Sequence, residues 1–207
     1  GAAGAIACMP MADSMSSETA APIRIAFLTG RSDPSRCGLS PQQRAFLETL
    51  HAPGREPVDR NFPYTAPQSG HVAVPLPLAA WRNLGDYIGA RRPAFAARHR
   101  ASVLSVLAGD GAVVLLAGSC GLELLANLQL EAAVRARLHV FAYGPVARQA
   151  PDVARLLCVQ GRGDWISRIG WRGPVRRVDG GHMDYLRQPE VRRLCEDFIA
   201  ATPCAST

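Results

Sequence analysis

The segment VVLLAGSCG, residues 113–121, decides how the chain folds. Every residue from 112 to 117 is apolar, which is typical of a strand that is buried on both faces of a sheet. Leucines then recur at helical spacing, and this pattern predicts a helix over residues 121–137. Ser119 therefore lies at the junction between a buried strand and a helix.

Strands and helices alternate along the rest of the chain. This alternation predicts an α/β fold, in which an open, mostly parallel sheet of about six strands is flanked by helices. Ser40 and Pro41 mark the start of one helix, because serine is a favoured N-cap and proline is favoured at the first helical position. The predicted strands are residues 23–28, 57–64, 112–117, 139–143, 154–160 and 175–178, and the predicted helices are residues 41–50, 78–107, 121–137 and 183–200.

The length of 207 residues is enough for one domain with a sizeable core. Residues 1–21 are small, polar to neutral and aperiodic, so we expect a disordered leader or an expression remnant there. The α/β domain is predicted over residues 22–201, and a flexible tail over residues 202–207. No apolar run reaches the roughly 18–20 residues that a membrane helix requires, so no membrane partner is predicted.

The charge of the chain is positive but dispersed. All 23 basic residues are Arg, and the net charge is +6. A nucleic-acid site needs a continuous basic face with interleaved aromatic residues, so no nucleic-acid partner is predicted. A general positive field would instead steer an anionic substrate towards the protein.

The six cysteines show neither paired nor regular spacing. Zinc sites and small disulfide scaffolds both need such patterns, so no metal and no cofactor are predicted. Cys120 and Cys158 lie in apolar segments and are expected to be buried. The simplest interpretation is a reduced, cytoplasmic protein.

Small residues surround Ser119 in the sequence. Ala117 and Gly121 lie two positions before and after it, where a very sharp strand-to-helix turn leaves no room for larger side chains. Such a turn exposes the serine hydroxyl above the carboxyl edge of the sheet. Residues 117–121 resemble the nucleophile elbow of the α/β-hydrolase family, with Ala117 in place of the usual first glycine.

The resemblance extends to the order of two later residues. That family places an acid after a later strand and a histidine after the last strand. Here Asp164 and His182 lie in Gly-rich loops that follow the last two predicted strands. The resemblance covers about residues 23–199, and it implies Ser119 as nucleophile, His182 as general base and Asp164 as the carboxylate that orients the imidazole.

Other interpretations of these residues remain open. Ser119 is also compatible with a simple helix N-cap, and Asp164 with a cap of the turn that follows it. Asp179 and Asp184 are alternative carboxylates. A second catalytic frame would use Cys120 as nucleophile, but Leu122 would then occupy a position that should be small.

The resemblance also implies an oxyanion hole and a substrate site. The backbone N–H of Cys120 is one expected donor, and the second is expected from Gly30 or Arg31 in the loop after the first strand. That loop lacks the usual His-Gly pair of the family. Trp81, Trp165 and Tyr185 are the predicted substrate contacts.

The function implied is that of a compact, lidless serine hydrolase, because the span between Ser119 and Asp164 is too short for a cap domain. It would cleave a carboxylic ester or thioester of a small-molecule acyl substrate through an acyl-enzyme. One alternative is a thioesterase or acyltransferase that takes its acyl group from a carrier protein. Another is a non-catalytic accessory protein with the same fold. The oligomeric state is left open.

Overall fold

The computed structural model describes residues 21–30, 37–65, 87–92 and 94–203. All neighbouring strand pairs are parallel, and the strand order in the sheet is β2-β1-β3-β4-β5-β6. The strands are β1 (Ile23–Leu28), β2 (Arg55–Asn61), β3 (Val113–Gly118), β4 (Leu138–Tyr143), β5 (Arg155–Gly161) and β6 (Arg176–Val178). The described helices are α1 (Pro41–Thr49), α2 (Ala94–Val106), α3 (Gly121–Ala126), α4 (Ala132–Arg135), α5 (Trp165–Gly170) and α6 (Pro189–Ala200).

Hydrophobic layers cover both faces of the sheet. On β1, Ile25 and Phe27 pack with α1 and α6, whereas Ala26 and Leu28 pack with α2 and α3. All six residues of β3 are buried. A central parallel strand must be apolar on both faces, because helices cover both of them. The predicted open parallel sheet of about six strands with flanking helices is therefore confirmed.

The start of α1 follows the expected capping pattern. The Ser40 hydroxyl accepts a hydrogen bond from the Gln43 N–H at 3.2 Å, and the Gln43 side chain accepts one from the Ser40 N–H at 2.8 Å. This reciprocal pair satisfies two backbone donors that a helix start otherwise leaves without partners.

The helix predicted over residues 121–137 is wrong as a single element. It divides into α3 and α4, and Gln129 between them has a positive φ of 52°. The Asn127 side chain donates to the Glu123 carbonyl at 2.7 Å, at the end of α3. This side-chain bond competes with continuation of the helix, and leucine periodicity alone does not register it.

The helix predicted over residues 183–200 is also too long. It begins at Pro189, and a 3₁₀ turn at Tyr185–Arg187 precedes it. Proline disfavours a helical conformation in the residue before it and is well suited to the first helical position. The strand predicted over residues 57–64 is displaced as well, since β2 ends at Asn61 before Pro63.

Several predictions concern residues that the structure does not describe. The predicted leader lies outside the described residues apart from Ala21. The helix predicted over residues 78–107 lies partly outside them. Its described part is helical at residues 87–89, turns at residues 90–91 and is helical again in α2. Thr202, assigned to the tail, is buried and donates to the Phe198 carbonyl at 3.1 Å, so it belongs to the folded domain. Among the described helices, none is long and apolar enough to cross a bilayer.

The buried carboxylate of Glu123 anchors α3. It accepts hydrogen bonds from the Arg91 and Arg148 side chains at 3.1 and 2.9 Å. Burial acts to raise the pKa of Glu123, but hydrogen bonds from Arg148 and Arg91 outweigh it and hold the pKa below its usual value. The helix that follows Ser119 is thus fixed to residues 87–92 and to the loop after β4.

The order in which successive strands are added to the sheet reverses at β1. Its neighbours are β2 on one side and β3 on the other, and β4, β5 and β6 continue in one direction from β3. In open parallel sheets, ligands bind at the carboxyl edge where the strand order reverses. Ser119 follows β3 at this edge.

The same junction leaves almost no space at Gly121. A Cβ atom there would lie 2.2 Å from the Leu28 carbonyl oxygen and 3.2 Å from the Ala117 Cβ. Backbone atoms at the end of β1 therefore touch the first residue of α3, and only glycine allows this contact. Ala117 is tolerated in place of glycine because Gly121 has no side chain.

We predict that Gly121→Ala lowers the free energy of unfolding by about 3 kcal/mol or more, because the added methyl must displace strand backbone. Gly89→Ala is the matched control, since a Cβ at Gly89 meets nothing within 4 Å. That control should change stability by less than about 1 kcal/mol. Urea unfolding of both variants measures the difference, and equal stabilities would contradict the packing described.

Candidate active site

Ser119 occupies a strained turn between β3 and α3. Its φ is +51°, in the left-handed region that residues with a side chain rarely adopt. The Ser119 N–H donates to the Tyr143 carbonyl at 3.2 Å, and the Ser119 carbonyl accepts from the Val146 N–H at 2.8 Å. The end of β4 and the loop after it therefore hold the turn in place. Strain of this kind persists only where the surrounding structure imposes it.

His182 joins Ser119 to Asp164. Its Nε2 atom lies 3.2 Å from the Ser119 Oγ, and its Nδ1 atom lies 2.9 Å from Asp164 Oδ2. With the proton on Nδ1, His182 donates to the carboxylate and can accept the serine proton at Nε2. The structure thus brings together the three residues that the sequence analysis selected, at the ends of β3, β5 and β6.

The two oxygens of Asp164 have separate partners. Oδ1 accepts from the Ser167 N–H at 2.9 Å and so caps α5, while Oδ2 accepts from His182. The two interpretations of Asp164 from the sequence, a helix cap and a partner of the histidine, therefore hold at the same time. The side chain is fully buried, whereas His182 is 19% exposed.

The carboxylate of Asp164 is charged at neutral pH despite this burial. Burial acts to raise its pKa, but hydrogen bonds from His182, from the Ser167 backbone and from the Tyr185 hydroxyl outweigh it. The pKa of Asp164 is consequently below its usual value. A buried anion with several hydrogen-bond donors is suited to hold an imidazole and to stabilise its protonated form.

The sequence analysis predicted that Tyr185 contacts the substrate, but the structure does not expose this side chain. Its side chain is buried, and its hydroxyl donates to Asp164 Oδ2 at 2.5 Å and accepts from the Gly161 N–H at 2.8 Å. Burial and the hydrogen bond to Asp164 raise the pKa of Tyr185. The residue positions the carboxylate, a role for which the sequence contains no local signal.

Backbone contacts draw the loops after β5 and β6 together. The Arg162 N–H donates to the Val178 carbonyl at 2.8 Å, and the Gly163 N–H donates to the Gly180 carbonyl at 3.0 Å. A Cβ at Gly161 would lie 2.4 Å from the Gly180 carbonyl oxygen. The glycines of these loops therefore permit the close approach that brings Asp164 to His182.

The two alternative carboxylates have other partners. Asp179 is exposed and forms an ion pair with Arg162 at 3.3 Å. Asp184 accepts from the Gly181 N–H at 2.7 Å, which stabilises the loop that carries His182. Among these carboxylates, the structure pairs Asp164 with the imidazole.

The loop after β1 is held by a residue that the sequence analysis did not identify. The buried Asn61 side chain accepts from the Thr29 N–H and donates to the Thr29 carbonyl, both at 2.9 Å. This amide continues the pairing of β1 with β2 by one more residue and fixes Thr29 at the end of β1. The available signal was a polar Asn61 within the strand predicted over residues 57–64.

The remaining predicted site residues differ in position. Cys120 directly follows Ser119, and its side chain is buried. The positive φ of the turn is at Ser119. The geometry therefore favours Ser119 over Cys120 as the nucleophile. Trp165 is 66% exposed at the start of α5. Arg31 and Trp81 lie outside the described residues.

Three solved structures are similar to this chain. The esterase PE8 matches with a TM-score of 0.52 and 17% sequence identity, over 89% of this chain and 94% of that chain. A serine hydrolase without a lid from Xanthomonas campestris matches with a TM-score of 0.46 and 15% identity, over 92% and 87%. A putative α/β hydrolase from Agrobacterium tumefaciens matches with a TM-score of 0.40 and 14% identity, over 89% and 86%.

No protein-family model and no curated protein sequence matches the chain. The likeness to PE8, together with the sheet described above, shows that the chain has the α/β-hydrolase fold. At 17% identity this likeness concerns the fold and does not extend to a substrate.

We predict that Tyr185→Phe raises the pKa of Asp164 and lowers the free energy of unfolding by about 2 kcal/mol at neutral pH, because a hydrogen bond to a charged group is lost. A carboxyl whose folded pKa is depressed contributes stability above its unfolded pKa, and this contribution is lost as the pH falls through the folded pKa. Acid unfolding of the variant should therefore begin at a higher pH. Circular dichroism during acid titration measures this shift.

Tyr87→Phe is the matched control. It also removes a tyrosine hydroxyl, but it retains the ring that stacks on the Arg91 guanidinium at 4.2 Å. Acid titration curves that coincide for the two variants would show that the Tyr185 hydroxyl does not stabilise the carboxylate.

Proposed function

We propose that the protein is a serine hydrolase that cleaves a carboxylic ester or thioester through an acyl-enzyme intermediate. The main support is the uninterrupted chain of contacts from Ser119 Oγ through His182 to Asp164, at 3.2 and 2.9 Å, with the serine on a strained turn. A helix cap requires neither the histidine contact nor the positive φ. A nucleophile with its base and orienting acid requires both the histidine contact and an exposed serine on a sharp turn.

The proposed reaction has two halves. Ser119 Oγ attacks the carbonyl carbon of the substrate while His182 Nε2 takes the hydroxyl proton. The tetrahedral intermediate then collapses, and the imidazolium returns that proton to the leaving alkoxide or thiolate. Water repeats the sequence on the acyl-enzyme and releases the carboxylic acid and the free serine.

The negative charge on the tetrahedral oxygen requires hydrogen-bond donors. The backbone N–H of Cys120 is proposed as one donor, since it follows the nucleophile in the turn. Gly30 or Arg31 is proposed as the other. The two hydrogen bonds of Asn61 to Thr29 support this assignment, because they fix the end of β1 close to Gly121.

The proposed substrate is a small molecule with an ester or thioester bond. Trp165, which is exposed, is proposed to contact it. We also propose that the protein acts in a reducing compartment such as the cytoplasm. In support, the cysteines within the described residues are buried thiols outside any disulfide. Burial raises the pKa of Cys158 to about 12, so this thiol is unreactive.

We predict that Ser119→Ala abolishes labelling by a fluorophosphonate probe and lowers kcat/KM for p-nitrophenyl acetate by about 10⁴-fold or more, because the nucleophile is lost. Cys120→Ala is the matched control. It removes the neighbouring side chain but keeps the backbone N–H, so labelling and hydrolysis should persist. Mass spectrometry of the labelled peptide identifies the modified residue.

Two outcomes would contradict the proposal. Labelling that survives in Ser119→Ala and is lost in Cys120→Ala would assign the nucleophile to the cysteine. A folded wild-type protein that neither labels nor hydrolyses the ester would favour a non-catalytic accessory protein.

A further prediction concerns the loop after β1. Asn61→Ala should lower kcat by about 10-fold or more, because loss of a single oxyanion donor costs about 10²–10³-fold and a displaced donor costs part of that. KM should change little, because hydrogen bonds from the oxyanion donors stabilise the transition state and not the bound substrate. An unchanged kcat in a stably folded variant would contradict the proposal that the loop after β1 supplies the second oxyanion donor.

A further inference from the structure

Most of the large apolar side chains that are exposed in the described residues lie beside the Asp164–His182 pair. Six such side chains are exposed, and only two of them, Ile88 and Leu104, lie elsewhere. The other four are Trp165, Ile166, Ile169 and Met183, of which Trp165, Ile169 and Met183 are all more than 60% exposed.

These side chains form one surface. Trp165 and Ile169 are four residues apart on α5 and therefore lie on the same side of the helix. Trp165 directly follows Asp164, and Met183 directly follows His182. A 2.9 Å hydrogen bond joins Asp164, at the start of α5, to His182, the residue before Met183.

Exposed arginines are frequent in and after α5. Between residues 161 and 181 the only exposed carboxylate is Asp179, and it pairs with Arg162. The other exposed arginines of this stretch form no ion pair with the described residues. They are Arg168, Arg172, Arg176 and Arg177. The stretch that carries α5 is thus rich in exposed arginines, and the carboxylate nearest to Met183 in the sequence, Asp184, is half-buried and accepts from the Gly181 N–H.

The size of this surface decides between two kinds of partner. A stable protein interface buries about 800 Å² on each side and involves about 20–30 residues, far more than a six-residue helix supplies. Contact with a lipid–water boundary needs less, because exposed aromatic and aliphatic side chains enter it singly and basic residues add attraction to anionic headgroups.

We propose that this α5 surface, defined as Trp165, Ile169 and Met183 with Arg168 and Arg172, docks the protein on an anionic lipid–water interface. The apolar side chains enter the boundary between headgroups and acyl chains, and the two arginines bind headgroup phosphates. The sequence predicts no membrane partner because it lacks a spanning segment, but peripheral contact requires none. Docking would place Ser119 where amphiphilic esters are concentrated.

Vesicle sedimentation tests the proposal. All proteins carry Ser119→Ala, so that binding is measured without hydrolysis. The protein should sediment with vesicles of equal parts phosphatidylcholine and phosphatidylglycerol, and not with phosphatidylcholine alone. Arg168→Gln/Arg172→Gln should lower the partition coefficient by about 30-fold, equivalent to about 1 kcal/mol for each arginine. Trp165→Ser/Ile169→Ser should lower it by about 10-fold or more.

Two control variants make the same changes elsewhere. Arg98→Gln/Arg193→Gln removes two other exposed arginines, and Ile88→Ser/Leu104→Ser removes the other exposed apolar side chains. Both should bind near the unsubstituted level. Equal losses in test and control variants would show attraction by net charge alone and would overturn the proposal, as would absence of binding.

Two further outcomes separate this inference from others. A concentration-dependent dimer that Trp165→Ser/Ile169→Ser abolishes, without vesicle binding, would assign the surface to a second copy of the chain and overturn the proposal. Fluorophosphonate labelling of the wild type is an independent readout. If the wild type is labelled but the Ser119→Ala protein does not bind vesicles, only the docking proposal is contradicted. If the Ser119→Ala protein binds vesicles but the wild type is not labelled, only the proposed hydrolysis is contradicted.

Discussion

The contact between the end of β1 and the first residue of α3 constrains the rest of the molecule. The Leu28 carbonyl oxygen lies so close to Gly121 that no side chain fits between them. The chain must therefore leave β3 by a sharp turn, and Ser119 takes up the positive φ that this turn demands. Such a conformation costs about 1–3 kcal/mol, and the buried strands on either side supply the stability that offsets it.

A buried carboxylate extends this constraint to the other loops. Asp164 accepts hydrogen bonds from Ser167 in α5 and from His182 and Tyr185 in the segment after β6. A buried charge is tolerated only when such partners replace the water it has lost. The same bonds that stabilise the anion also fix the imidazole opposite Ser119. Structural and chemical demands on Asp164 therefore coincide.

Helix α5 connects the interior of the site to the outer surface. Its N-terminus is capped by Asp164 and its Ser167 side chain is buried, while Trp165 and Ile169 are exposed. Of the six residues of α5, only Ser167 is buried. Its apolar residues are therefore available for an external contact immediately beside the candidate triad.

Much of this follows from local pattern. The apolar run before Ser119 and the alternation of strands and helices determined the fold class, because burial on both faces restricts residue type. The three candidate site residues followed from the resemblance of residues 117–121, and of the order of Asp164 and His182, to the α/β-hydrolase family. The role of Tyr185, the support from Asn61 and the division of the helix after Gly121 were decided only by the tertiary structure. Each depends on a hydrogen bond between side chain and backbone or between distant side chains, and the periodicity of the sequence carries no record of such a bond.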